Sequence, residues 1–123
     1  VLFRSLRRAL FDVALRSGDA ATADRQLQAL GEADTERTLQ AATALMEHGD
    51  VTRARVLLEH YRALDGVLTR EICATMLSVS AIARDEDGVE HAARKLVSME
   101  PLTDEQAVLL RQALGETRAA GIL

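Results

Sequence analysis

The chain has 123 residues, 48% hydrophobic and 28% charged, with 15 Lys and Arg against 19 Asp and Glu and a formal net charge of −4. That balance excludes a disordered chain, the length suits one domain, and basic residues scattered among acidic ones argue against nucleic acid as a partner. Trp is absent, Tyr61 is the single tyrosine and Phe3 and Phe11 are the two phenylalanines, so the core alphabet of Ala, Leu and Val favours close-packed helices over a sandwich.

In chain order, Val1-Leu2-Phe3-Arg4-Ser5 is similar to the in-frame translation of the end of a sequencing-library adaptor. Residues 1–5 are therefore set apart from fold reasoning, and residues 6–123 are read as a helical repeat domain of a longer protein. A first amphipathic helix runs from about Ser5, with Leu6, Leu10, Val13 and Ala14 on one side, and ends at Ser17-Gly18-Asp19. The second spans Ala20 to Leu30, presents Ala23, Leu27 and Leu30, and stops at Gly31. Asp34 or Thr35 caps a third helix to His48, with Leu39, Ala41, Ala42, Leu45 and Met46 inside.

Gly49-Asp50 turns the chain into a fourth helix, whose Ala54, Leu57, Leu58, Tyr61 and Leu64 share one face. Thr69 caps a fifth, Arg70 to Arg84, whose run of apolar and small residues from Ile72 to Ala83 makes it the most buried helix. Asp85 to Gly88 forms the next turn. Val89, Ala92, Ala93, Leu96 and Met99 line a sixth helix closed by Pro101, and Thr103-Asp104-Glu105-Gln106 is a capping-box pattern opening a seventh through about Arg118. No strand pattern interrupts this alternation.

Three small residues follow the turns, Ala23, Ala54 and Ala92, at gaps of 31 and 38 residues (54 − 23 and 92 − 54). Gly18-Asp19 and Gly49-Asp50 precede the first two; the third copy has Asp87-Gly88, reversed and one place along. In these residues the chain resembles the tetratricopeptide repeat family. Matching positions are Leu10, Phe11 and Ala14, Ala41, Ala42 and Leu45, and Val79, Ser80 and Ala83 in the first helices. The second helices supply Ala23, Leu27 and Leu30, Ala54, Leu58 and Tyr61, and Ala92, Leu96 and Met99. The large aromatic usual early in the first helix is replaced by Arg7, Thr38 and Met76. The resemblance covers roughly Leu6 to Pro101 and implies an all-α superhelix of about three helix-turn-helix repeats plus a C-terminal capping helix.

Glu-His occurs at Glu47-His48, Glu59-His60 and Glu90-His91, without the spacing that would bring ligands to one metal, so these pairs read as solvated surface. Cys73, beside Ile72 and Ala74, reads as a core residue; Ser78 and Ser80 lack a nucleophile elbow, and no Gly-rich phosphate loop is present. Neither an enzyme nor a cofactor is expected. The lone cysteine excludes an internal disulfide and leaves the compartment open, the cytoplasm being favoured; a fragment would lack any targeting signal. No apolar run is long enough for a membrane span.

The resemblance implies a protein-binding groove along the first helices. Its outward positions would be Arg8, Asp12 and Arg16, then Glu36, Leu39, Thr43 and Glu47, then Leu77, Ala81, Arg84 and Asp85. The Lys and Asn clamp with which some members hold a peptide carboxylate is not reproduced. The expected function is a non-catalytic scaffold binding a protein or peptide segment, or another domain of its own longer chain. The alternative is a regulatory or sensor region of a larger bacterial transcription regulator or signalling ATPase.

Overall fold

Short polar side chains at the turns decide where the helices begin. The side chains of Asp19, Asp34, Asp50, Thr69, Asp85 and Thr103 each accept a hydrogen bond from the backbone N–H three residues on, a cap worth about 1 kcal/mol. Thr103 and Gln106 complete the reciprocal capping box. The computed structural model describes residues 2–123. Among them lie α1 (Leu2–Arg16), α2 (Ala20–Leu30), α3 (Thr35–Glu47), α4 (Val51–Ala63), α5 (Arg70–Ile82), α6 (Glu86–Met99), α7 (Asp104–Leu114) and α8 (Glu116–Ala120), and no strand.

The way helices end sets the repeat. Gly18 and Gly49 take left-handed φ values of 80° and 74°, and the following N–H reaches back five residues, from Asp19 to Ala14 O and from Asp50 to Leu45 O, each at 2.8 Å. The same closure ends α4 at Asp65, with φ 57°, and Gly66, and recurs at Arg84, with φ 58°, and Asp85, whose N–H donates to Ser80 O at 2.9 Å. Asp85, like Asp19 and Asp50, also caps the helix that follows, which makes it the third copy of the closing and capping turn. Asp19, Asp50 and Asp85 thus stand 31 and 35 residues apart (50 − 19 and 85 − 50).

This register corrects the one expected from Ala92. Val89 occupies the place of Ala23 and Ala54, and all three are completely buried. Ala93 and Leu96 then match Leu58 and Tyr61, while Met99 falls one turn too far along and is exposed. In the first helices Met76, Leu77 and Ser80 take the places assigned to Val79, Ser80 and Ala83. Gly88 lies inside α6, not in a turn. A Cβ there would come within 2.5 Å of Asp85 Oδ2 and 2.6 Å of Ser80 Oγ, so any other residue would have to displace the Asp85 cap carboxylate and the Ser80 hydroxyl.

The chain divides into two compact units, the first ending at Val67 and the second running from Leu68 to Leu123. In the first, α1 pairs with α2 and α3 with α4, while α2 also meets α3 and α4, so one hairpin stacks on the next. Phe11, Ala14, Ala23, Leu27, Ala41, Ala42, Leu45, Ala54 and Leu58 are buried in it. In the second, α5 pairs with α6, α7 meets both, and α8 packs on α7. With Ile72, Cys73, Met76, Leu77, Val79 and Ser80 buried, α5 carries more buried residues than any other described helix.

Two segments depart from expectation. Helix α1 begins at Leu2, not Ser5; of the five adaptor-like residues Val1 lies outside the described residues and the others belong to α1. Its Leu6, Leu10 and Val13 are 56%, 42% and 55% exposed; of the expected inner side only Ala14 is buried, and Phe11 joins it. Arg7 accounts for part of this. Its guanidinium lies 4.4 Å from the Phe3 ring centroid and donates to Gln26 Oε1 at 3.1 Å, so an arginine stem covers the α2-facing side. At the other end, Gly115, with φ 87°, breaks the helix expected to reach Arg118 into α7 and α8.

Candidate functional site

Turn chemistry orients α1 and α3 so that one side of each stays open once Phe11 and Ala14, and Ala41, Ala42 and Leu45, are buried. An open depression of about 430 Å³ lies on that side, lined by Leu15, Leu39, Gln40, Thr43, Ala44 and Glu47. Three of the four groove positions expected on α3 line it: Leu39, Thr43 and Glu47. The fourth, Glu36, is exposed on the stripe that continues through Gln40, Thr43 and Glu47 at spacings of four, three and four.

Leu15, Gln40 and Ala44 were not expected there. Leu15 is four residues from the buried Phe11, and Ala44 four from Gln40. For Leu15 the signal is that helical spacing, hidden by the expected inner face of Leu6, Leu10 and Val13; Gln40 and Ala44, on α3, belong to the same side as Thr43 and Glu47.

The charged groove positions in this unit differ in whether they are already neutralised. Arg8 Nη2 donates to Glu32 Oε1 and Oε2 at 2.8 and 3.0 Å, with Arg4 adding a third bond at 3.0 Å. The Arg8 hydrogen bond, outweighing desolvation, holds the Glu32 carboxyl below its usual range. Arg37 donates to Asp34 Oδ2 at 2.9 Å, lies 3.8 Å from Asp12 and covers the Phe11 ring at 5.8 Å. Burial pushes Asp34 upward, but the Arg37 backbone N–H and guanidinium together bring it below its ordinary value.

Arg8 and Asp12 are therefore committed within the fold. Among the described residues no cation pairs with Glu36 or Glu47, and no carboxylate with Arg16.

In the second unit the expected positions do not form a surface together. Leu77 is completely buried, because the corrected register puts it at the core position of Phe11 and Ala42. Arg84 and Asp85 are the closing turn and the α6 cap. Ala81 is half-buried. The residues equivalent to Glu36, Leu39, Thr43 and Glu47 are Glu71, Ala74, Ser78 and Ile82, and all but half-buried Ala74 are exposed.

The residues weighed for chemistry are dispersed. His48 lies at the end of α3 with Nδ1 2.8 Å from Ala44 O, His91 is exposed on α6, and His60 Nε2 is buried without a hydrogen-bond partner. Cys73 is buried. Among the described residues no group of three or more His, Cys, Asp or Glu is placed to hold a metal ion, and no helix is long and apolar enough to cross a membrane. No family model, curated protein or solved structure matches the chain.

Proposed function

We propose that this chain is a tetratricopeptide-like, non-catalytic scaffold that binds a protein or peptide segment along the outward side of its first helices. The observation that carries the reading is the depression on α1 and α3, which gathers Leu39, Thr43 and Glu47, three residues picked out by their repeat positions. The thrice-used turn at Asp19, Asp50 and Asp85 and the pairing of helices into hairpins support it. Repeat arrays of this kind spend their best-conforming residues on hairpin contacts and leave the remaining face to bind.

The test is selection of displayed peptides on the whole chain, followed by competition with a Thr43→Trp variant. Thr43 is exposed on a helix, so the indole fills the depression without entering the core. Selected peptides are expected to bind the wild type and to lose binding to the variant. Equal binding to both, or no enrichment, would remove the reading.

A further inference from the structure

The depression contains a single charge, and among the described residues no cation answers it. Leu15, Leu39 and Ala44 supply apolar contact, Gln40 and Thr43 neutral polar groups, and Glu47 the one carboxylate. Glu47 is the last residue of α3, where the negative end of the helix dipole disfavours an anion. No described cation pairs with it, and the adjacent His48 ring turns to Ala44 O instead. Glu36, eleven residues earlier on the same exposed stripe, is likewise unpaired. Of the arginines on α1 and α3, Arg8 is held by Glu32 and Arg37 by Asp34, while Arg16, unpaired among the described residues, stands outside the lining of the depression.

Resting on the scaffold reading above, we propose that the segment bound here is basic and apolar: a bulky aliphatic side chain enters the depression between Leu15, Leu39 and Ala44, and a neighbouring Lys or Arg pairs with Glu47. Glu36, about 16 Å away along the helix axis, meets a second cation further along the segment. Arg16 does not line the depression and plays no part in this recognition.

Three labelled peptides test this, sharing a leucine–alanine frame and carrying lysines, glutamines or glutamates at the remaining positions. Anisotropy gives their affinities and amide chemical shifts give their location. The lysine peptide is expected to bind best, to weaken with added salt and to move the signals of Leu15, Leu39, Thr43 and Ala44. Glu47→Gln lowers its affinity about two- to fivefold, the range of an exposed ion pair. Glu47→Lys transfers preference to the glutamate peptide. That variant places a cation at a helix C-terminus, so the fold tolerates it.

Equal affinities for the three peptides, with shifts at the depression, overturn the charge assignment and leave the scaffold reading standing. Shifts confined elsewhere, or no binding by any of the three, overturn the proposal. The peptide selection with Thr43→Trp then decides the scaffold reading separately.

Discussion

The Tyr61 hydroxyl donates a 2.6 Å hydrogen bond to the carbonyl of Val67, and the Thr35 hydroxyl lies 2.8 Å from the Tyr61 hydroxyl oxygen. One buried phenol thus ties the C-terminal turn of α4 to the loop after it and to the start of α3. A Cβ on Gly66 would fall 2.3 to 2.5 Å from the Tyr61 ring, so the glycine exists to let the ring lie there. Tyr61→Phe is expected to cost about 1–2 kcal/mol by leaving the Val67 carbonyl and the Thr35 hydroxyl without this partner. Gly66→Ala displaces the ring and should cost at least as much. Urea unfolding measures both; a neutral Gly66→Ala would contradict the packing described.

Asp24 is 4% exposed, and its carboxyl accepts a hydrogen bond from Gln28 Nε2 at 2.8 Å. Burial raises its pKa, opposed by the Gln28 bond and the Arg53 charge. A carboxyl with a raised folded-state pKa contributes stability below its unfolded pKa of about 3.9 and loses it as pH rises through the folded value. Asp24→Asn should therefore raise the melting temperature at pH 7, with the advantage shrinking as pH falls towards 4. Thermal melts across that range check the sign. An Asn variant less stable than wild type at pH 7 would contradict it.

Arg84 adopts a conformation that glycine holds at no steric cost. Arg84→Gly should stabilise by about 0.5–1 kcal/mol, the relieved strain exceeding the entropy that glycine adds to the unfolded chain. The same register predicts that Ala54→Leu, at a completely buried hairpin contact, destabilises by about 1–3 kcal/mol through overpacking. Denaturant midpoints read both. A destabilised Arg84→Gly would argue against the turn assigned to the third copy.

These sites show what was legible in the sequence. Caps were, because an Asp or Thr side chain bonds the backbone three residues on, and that chemistry is local; those expected at the Gly-Asp turns of Asp19 and Asp50, at Asp34, at Thr69 and at Thr103 formed, whereas Asp85, read only as the start of a turn, caps α6. The third turn was not, because Asp87-Gly88 looked like a reversed copy of Gly-Asp while the left-handed residue is an arginine. That error moved the expected groove in α5 onto buried Leu77. The face of α1 was obscured for another reason: Leu6, Leu10 and Val13 have ideal helical spacing, yet Phe11 and Ala14 fill the space against the neighbouring helices. The depression needed α1 and α3 side by side, which spacing along one helix does not provide.

The central claim is that partners bind the open side of α1 and α3. Its most direct test is an amide chemical-shift map of the whole chain with its tightest selected peptide. The map should centre on Leu15, Leu39, Thr43, Ala44 and Glu47, with α2 and α4 little changed. A footprint on α2 or α4 that leaves those five signals in place would contradict the account.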